Sequence, residues 1–467
     1  MISRHPVSGN ILVNDVPTAG ANAATIKKVA VTTTGAGTTI IIDFANGSFA
    51  PGTSTSPGIT VTGSGAAYAF KLRGASGSDL ITCGENGTTM DEIGFNSDAF
   101  PDITFPGFGV VTFTFSLGSG DDVFGADLAS AHKYLGATAV AQSDPVTVYG
   151  GPGNDTFEGG LGDDFFYGDT GNDTFKGGPA GGTWSKTFIG GTDASGTDQD
   201  VADFSLRPAS EGPLFFTVDG DPVLLTGTPS GCLTAGCGAI DEQDVIATDV
   251  EVVKGGAGPD TYVVTATQAL GHSFLGGAGS DTVDYRAMAA AVSATMGDKT
   301  ANDGPAAWTK KDNIGDDVEN VVCRAADACT VVGNTLDNTF FVLAGTSAAH
   351  SFSGGTGLDT VDFTAFGATL DVKMDNTAST TAGIKINTDV ENLKCPTLNT
   401  ASCTVAGNDL GNHLWGVNTG GAGVNTLSGG NGDDTIEGVE TGDTVDCGSG
   451  SDLFFSASLA RPASCEL

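Results

Sequence analysis

The sequence predicts an all-β repeat protein, a β-solenoid with loop insertions, and three observations support that fold class. A nonapeptide of the form Gly-Gly-x-Gly-x-Asp-x-apolar-x recurs in two places, and each copy joins a tight glycine turn to a three-residue strand. Glycine contributes 71 of 467 residues while hydrophobic residues still make up 39%. That composition is too apolar for a disordered acidic chain and too rich in glycine for a helical one. Helical periodicity is almost absent.

The nonapeptides form two compact blocks. The first block reads GGPGNDTFE, GGLGDDFFY and GDTGNDTFK from residue 150, and the second reads GGAGVNTLS, GGNGDDTIE, GVETGDTVD and CGSGSDLFF from residue 420. Each turn would direct backbone carbonyls and one carboxylate inward, and oxygen ligands at this density suit a hard divalent cation, calcium above all. The alternative is a solenoid turn that binds no ion. An aspartate at one fixed turn position in nearly every copy would then have no packing purpose.

The pattern resembles the RTX, or hemolysin-type, calcium-binding repeats of secreted bacterial proteins. The resemblance implies a parallel β-roll, in which two nonapeptides form one coil and an ion lies between the stacked turns n and n+2. The stacked partners would be Asp155 with Asp173, Asp164 with the poorer turn at Gly177, Asn425 with Asp443, and Asp434 with Asp452. Asn425 and Val439 depart from the family pattern, so weaker or missing ions are expected there.

The same resemblance supplies a set of candidate calcium ligands, which includes isolated turns outside the two blocks. They are Gly120, Asp122, Gly151, Gly153, Asp155, Gly160, Gly162, Asp164, Gly171, Asp173, Gly256, Gly258, Asp260, Gly277, Gly279, Asp281, Gly355, Gly357, Asp359, Gly430, Gly432, Asp434, Asp443, Gly450 and Asp452.

A longer repeat lies between the compact blocks. Asp203, Asp284 and Asp362 recur about 80 residues apart, and later in each unit Glu251, Glu319 and Glu391 fall in register. The chain is therefore divided into an irregular N-terminal solenoid or cap (1–149), a compact nonapeptide block (150–189), three super-repeats with insertions (190–419) and a C-terminal nonapeptide block with a disulfide-closed end (420–467).

Eight of the nine cysteines fall into close sequence pairs. The pairs are Cys232 with Cys237, Cys323 with Cys329, Cys395 with Cys403, and Cys447 with Cys465, which leaves Cys83 alone. We predict disulfides, which indicate an oxidising compartment. Metal ligation by the thiols is the alternative, although no pair has the two-residue spacing of a zinc knuckle and no histidine lies beside one.

Charge and motifs exclude several classes of function. With 56 acidic and 19 basic residues the net charge is −37, which disfavours nucleic acid and anionic membranes as partners. No run of 18 apolar residues could span a membrane, and the N-terminus lacks the apolar stretch of a secretory leader. Export would therefore use either a leader absent from this sequence or, as the RTX resemblance allows, an uncleaved C-terminal signal. Familiar catalytic motifs are absent, and the five histidines stand far apart.

The sequence thus predicts an extracellular or cell-surface, calcium-dependent protein with a structural or adhesive role, such as a surface-layer, matrix, fibre or adhesin component. Its candidate partners are calcium ions, further copies of itself and cell-surface polysaccharide. One alternative is a secreted polysaccharide lyase or epimerase, for which Lys310 and Lys311 form the one basic cluster to inspect. Another is the carrier portion of a larger RTX protein.

Overall fold

The computed structural model describes residues 2–4, 10–13, 16–22, 29–33, 39–46, 58–63, 68–85, 90–95, 102–105, 110–125, 144–177, 186–191, 198–211, 214–218, 244–265, 271–324, 326–343, 348–381, 383–398, 400–416 and 423–466. The chain forms two compact units: the first comprises residues 1–207 and 219–253, and the second residues 208–218 and 254–467. Every regular element in the described ranges is a β-strand, apart from one short 3-10 turn at Ala209–Glu211. The all-β prediction is confirmed, while the finer four-part division stays a prediction.

The strands are short, because each nine-residue repeat joins a glycine turn to a strand of three residues. Those up to residue 203 are β1 Ile2–Arg4, β2 Asn10–Val13, β3 Val16–Asn22, β4 Val29–Thr33, β5 Thr39–Asp43, β6 Ile59–Gly63, β7 Tyr68–Arg73, β8 Leu80–Glu85, β9 Met90–Gly94, β10 Ile103–Thr104, β11 Val110–Ser116, β12 Val123–Gly125, β13 Val146–Pro152, β14 Thr156–Glu158, β15 Asp164–Thr170, β16 Thr174–Lys176, β17 Lys186–Gly191 and β18 Val201–Asp203. The rest are β19 Phe215–Thr217, β20 Val245–Ile246, β21 Val252–Lys254, β22 Thr261–Val263, β23 Ser273–Leu275, β24 Thr282–Asp284, β25 Val292–Thr295, β26 Gly304–Pro305, β27 Asn313–Ile314, β28 Asn320–Cys323, β29 Cys329–Val332, β30 Thr339–Val342, β31 Ser351–Ser353, β32 Thr360–Asp362, β33 Leu370–Lys373, β34 Lys385–Ile386, β35 Asn392–Lys394, β36 Cys403–Ala406, β37 His413–Trp415, β38 Asn425–Ser428, β39 Thr435–Glu437, β40 Thr444–Asp446 and β41 Leu453–Phe455.

The first unit is a solenoid of two facing parallel ladders. One ladder contains β5, β7, β11, β13, β15, β17 and β20 in order, and the other contains β8, β12, β14, β16 and β18. Because side chains alternate along a strand, the central residues of the three-residue strands β12, β14, β16 and β18 face the core. Phe157 and Phe175 stack with their rings 5.2 Å apart, and Phe175 lies 5.5 Å from Phe188 of the opposite ladder. All three are fully buried, so aromatic stacking fills the interior of the roll.

The start of the first unit departs from the parallel pattern. Strands β1, β2 and β3 pair antiparallel, as do β8, β9 and β10, before parallel pairing resumes. These hairpins fall in the region for which the sequence predicts an irregular cap.

The second unit repeats the design with different core residues. Its longest ladder runs β19, β22, β24, β28, β30, β32, β35, β37, β39 and β41, and all of its neighbours are parallel. Opposite it lie shorter ladders, β25-β29-β31-β34 and β33-β36-β38-β40. Val321, Phe340, Val361 and Leu393 occupy one register position and are fully buried. Each coil therefore contributes one apolar rung to a continuous core.

Candidate calcium sites

The turn acids of the first unit stack into one continuous row. Each row residue donates its backbone N–H to a carboxylate oxygen of the next coil: Asp79 to Asp122 (2.6 Å), Asp122 to Asp155 (2.8 Å), Asp155 to Asp173 (2.7 Å), Asp173 to Asp200 (2.8 Å) and Asp200 to Glu251 (2.9 Å). We call these six residues the first carboxylate row. Neighbouring members of the row lie up to 51 residues apart along the chain.

The second oxygen of each inner carboxylate in this row is buried without a partner. Oδ2 of Asp122, Asp155, Asp173 and Asp200 accepts no hydrogen bond, and each of these residues is at most 1% exposed. A buried polar oxygen without a partner destabilises the fold by roughly 1–3 kcal/mol, and more when it is charged. Four such atoms in register fit a positively charged ligand.

Glycines let the main chain approach these carboxylates. A Cβ added to Gly150 would collide with Oδ2 of Asp155 and lie 2.9 Å from the carbonyl oxygen of Gly168 in the next coil. Gly153 has a φ of 145°, which favours glycine, and a Cβ there would strike the backbone of Gly120. The donor set around Oδ2 therefore consists of oxygens, from one carboxylate and neighbouring carbonyls, as a hard cation requires.

Burial makes these carboxylates poor anions in the absence of a cation. The pKa of Asp155 is raised to about 7, mainly by burial, with the charges of Asp173 and Asp122 adding to the shift. The pKa of Asp200 is raised to about 8, again first by burial and then by Asp173 and Glu251. A divalent cation between the turns would remove both penalties, since opposite charge favours the ionised form.

The second unit carries a corresponding row. We call it the second carboxylate row, and its members in coil order are Asp260, Asp281, Glu319, Asn338, Asp359, Glu391, Asn412, Asp434 and Asp452. The linking bonds are the same kind, for example Asp260 N–H to Asp281 Oδ1 at 2.7 Å and Asp434 N–H to Asp452 Oδ1 at 3.0 Å. Buried Oδ2 atoms without a hydrogen-bond partner occur at Asp281, Asp359, Asp434 and Asp452.

Asparagines interrupt the second row and satisfy their turns without a cation. The Asn338 side chain donates from Nδ2 to the carbonyl oxygen of Glu319 at 3.2 Å and to Oδ1 of Asn334 at 3.0 Å, and it accepts from the Asn334 N–H at 2.8 Å. Asn412 repeats the arrangement, donating to the Glu391 carbonyl oxygen at 3.1 Å. At these two coils, amide hydrogens meet the carbonyls that a calcium ion would meet elsewhere.

The Asp-x-Glu elements of the super-repeats supply two carboxylates each. The glutamate joins the row, while the aspartate two residues earlier accepts N–H groups from a glycine pair. Asp317 accepts from Gly276 at 3.0 Å and from Gly277 at 2.9 Å, and Asp389 accepts from Gly354 at 3.1 Å. Sequence reasoning found the register of Glu251, Glu319 and Glu391 but not their role as row members. It also missed Asp79 and Asp200. At Asp79 the signal is the aspartate five residues after the first glycine of GASGSD, as in the nonapeptide.

The opposite edge of the first unit differs from the row. Asp164 stands in register with Lys186, whose ammonium lies 2.9 Å from the Gly162 carbonyl oxygen and 4.0 Å from Asp164 Oδ2. Most of the turn predicted to stack on Asp164 from Gly177 onwards lies outside the described residues. In the second unit, the Asp443 carboxylate accepts from the backbone N–H of Asn425 at 2.7 Å and from that of Glu440 at 2.8 Å. The weaker binding expected there stays a prediction.

The cysteines pair locally. Cys323 joins Cys329, Cys395 joins Cys403 and Cys447 joins Cys465, with Cα atoms 6.1, 5.9 and 5.1 Å apart. Cys232 and Cys237 lie outside the described residues. Cys83 is a buried free cysteine, and burial raises the pKa of its thiol well above the usual value. With their sulfurs joined, the three pairs offer no thiolate to a metal.

Side-chain clustering alone does not reveal a metal centre. No group of three or more His, Cys, Asp or Glu side chains suited to a metal ion occurs within the described ranges. The rows carry one carboxylate per turn, so backbone carbonyls would have to supply most of a calcium coordination shell. In the same ranges, no helix is long and apolar enough to cross a membrane.

Comparison with known proteins identifies the repeats. Residues 147–179 and 419–454 match the family described as RTX calcium-binding nonapeptide repeat, in four copies. No curated protein sequence matches the chain. The two matched segments contain Asp155, Asp164, Asp173, Asp434 and Asp452, all of which the structure places at stacked turns.

Proposed function

We propose that calcium folds this chain outside the cell into a structural or adhesive component, such as part of a surface layer, matrix or fibre, because two of its segments match the RTX calcium-binding nonapeptide repeat. One observation carries the proposal: buried carboxylate oxygens without partners recur in register along both rows. The individual ligands we propose for the ions are the Oδ2 atoms of the row aspartates and the carbonyls of the adjoining glycine turns.

Folding and calcium binding would be one event. Without a cation, the stacked carboxylates must be either protonated or mutually repulsive, while glycine-rich coils lose more conformational entropy on folding than other chains. Extracellular calcium modules bind with a Kd on the order of 10⁻⁴ to 10⁻³ M, so sites of this class fill at calcium levels outside cells. The chain would then stay unfolded until export.

The structure offers little support for the enzymatic alternative at the basic cluster the sequence singles out. The Lys311 ammonium donates to the carbonyl oxygens of Pro305 at 2.6 Å and Gly304 at 3.4 Å, so it closes its own loop. Lys310 is exposed beside it. A lysine held by main-chain carbonyls is placed for loop stability rather than for proton transfer to a sugar.

The test is a calcium titration of chelator-treated protein, followed by far-UV circular dichroism and light scattering on the same samples. Asp122→Asn removes a buried row carboxylate, and Asp121→Asn removes the adjacent exposed one as a matched control. We expect a cooperative rise in β-signal near millimolar calcium, a midpoint raised several-fold in D122N and an unchanged midpoint in D121N. Growth in mass with calcium would favour self-assembly over attachment to polysaccharide.

A fully folded, monomeric protein in chelator would contradict the proposal. The solenoid would then be held by its core and disulfides, and the turns would be structural only.

A further inference from the structure

One position in the first unit reverses the charge of the repeat. Strand pairing places Lys186 beside Asp164, at the position that aspartate occupies in the nonapeptide. Its backbone N–H donates to Oδ1 of Asp244 at 2.8 Å, which is the same bond that links successive members of the carboxylate rows. Lys186 therefore occupies the position of the repeat's aspartate in the ladder, and it places an ammonium where Asp164 and Asp244 have a carboxylate.

The Lys186 side chain enters the turn of the preceding coil. It is 1% exposed, and a Cβ added to Gly159 would lie 2.6 Å from its Cε and 2.9 Å from its Cδ. The side chain thus crosses the turn at Gly159, where any Cβ would collide with it. Its ammonium ends 2.9 Å from the Gly162 carbonyl oxygen and 4.0 Å from Asp164 Oδ2. A carbonyl and a carboxylate are also the groups a calcium ion would meet in this turn.

We propose that the Lys186 ammonium is the resident cation of the turn spanning residues 159–164, which therefore holds no calcium although its sequence fits the repeat. This revises the expectation that Gly160, Gly162 and Asp164 bind an ion. Asp164 already accepts the N–H groups of Val146 and Gly160, each at 3.1 Å, and the ammonium completes its surroundings. The other aspartates of the same coils, Asp155 and Asp173, keep Oδ2 without a partner on the carboxylate row.

The two edges of these coils would then respond differently to calcium. A chelator removes the ion from the carboxylate row, but it cannot remove an ammonium tethered by its own chain. The turn at residues 159–164 would therefore need no calcium of its own once the coils have formed.

The experiment counts bound calcium by equilibrium dialysis in the full chain and in two matched variants, Asp164→Asn and Asp173→Asn. The inference uses the proposed calcium row as its internal reference. We expect D173N to lose at least one calcium ion per chain and D164N to bind as many as the unaltered protein. A loss of calcium in D164N equal to that in D173N would overturn the inference. If neither the unaltered protein nor D173N shows row binding, the proposed function itself fails.

A second variant covers the case in which D164N does not fold. Lys186→Asp restores the aspartate of the repeat, and Lys186→Met keeps the volume without charge. We expect K186D to bind one more calcium ion per chain than the unaltered protein, and K186M to bind the same number as the unaltered protein. An unchanged calcium count in folded K186D would mean that this turn cannot hold calcium whatever residue stands at 186. It would overturn the proposal that the Lys186 ammonium takes the place of a calcium ion.

Discussion

Replacing Asn338 by aspartate should make this position of the second carboxylate row depend on calcium. The change keeps the shape of the side chain but removes both Nδ2 donors, which now bind the carbonyl oxygen of Glu319 and Oδ1 of Asn334. It also introduces a carboxylate between Glu319 and Asp359. In the absence of calcium, an oxygen would thus face an oxygen at a buried position.

The magnitude follows from these contacts. Two lost hydrogen bonds cost about 1 kcal/mol each, and the opposed oxygens with the added charge bring the total to about 3 kcal/mol while no calcium is bound at the new carboxylate. If the new carboxylate completes a site, calcium at ten times its Kd returns about 1.4 kcal/mol through linkage. The destabilisation should therefore be roughly halved in calcium. Urea unfolding at the lowest free calcium concentration that keeps the unaltered protein folded, and again at ten times the Kd, followed by circular dichroism, measures both values.

The control is Asn376→Asp, which adds the same charge at an exposed turn of the same unit. Equal destabilisation of N338D at the low and the high calcium concentration would refute the reasoning, because the new carboxylate would then complete no site. A calcium-dependent difference of the same size in N376D would also refute it, since general charge screening would explain both.

Three further predictions concern pH, the core and the disulfides. The folded-state pKa of Asp155 is about 7 against 3.8 for the free group, so its contribution to stability is present below pH 4 and is lost as pH rises through 7. The metal-free β-signal should therefore fall from pH 5 to pH 8, and calcium affinity should rise over the same range; a flat metal-free profile would count against cation-dependent rows. Phe166→Ala should destabilise the first unit by about 3–5 kcal/mol in urea unfolding, because it empties a fully buried position, whereas Phe166→Leu should cost less. Loss of the Cys395 to Cys403 disulfide, which spans 8 residues, should cost about 2.5 kcal/mol with calcium present, measured with both cysteines changed to serine.

Local patterns made the fold predictable. The glycine turn and the three-residue strand recur inside nine residues, so their period can be read directly from the sequence. The stretch RAMAAAVSA (286–294) has helix-forming alanines, yet its alignment with FTAFGATLDV of a sister repeat predicts strand. Strand β25, Val292–Thr295, takes up its last three residues, and residues 286–291 form turns and irregular backbone rather than a helix. Here the ladder position overrides local helix propensity.

The rows were only partly predictable, because insertions vary the length of each coil. Row neighbours in the compact blocks lie 18 residues apart, as for Asp155 with Asp173. The steps to Glu251, Glu319 and Glu391 are 51, 38 and 32 residues, so a fixed period cannot find these members. The charge reversal at Lys186 was hidden in the same way, since its local sequence TWSKTF has lost the glycines of the motif.

The composition of the two rows predicts that the units differ in their need for calcium. The first row consists of six consecutive acids, whereas asparagines divide the second row into runs of at most three. The pKa values of the two rows overlap, because burial raises that of Asp122 in the first row to about 6 and that of Asp281 in the second row to about 7, but the highest value, about 8, belongs to Asp200 of the first row.

Asn338 and Asn412 each separate like charges and hydrogen-bond to their own turns. The second unit therefore has less electrostatic repulsion between carboxylates when calcium is removed. Hydrogen exchange read by mass spectrometry at pH 7.5 should then show row amides of the first unit, such as that of Asp173, losing protection at a higher free calcium concentration than that of Asp434. The turn at residues 159–164 is the exception we expect within the first unit, because its cation, the Lys186 ammonium, is part of the chain. Simultaneous loss of protection in both units would show that the spacing of charges along a row does not set its calcium requirement.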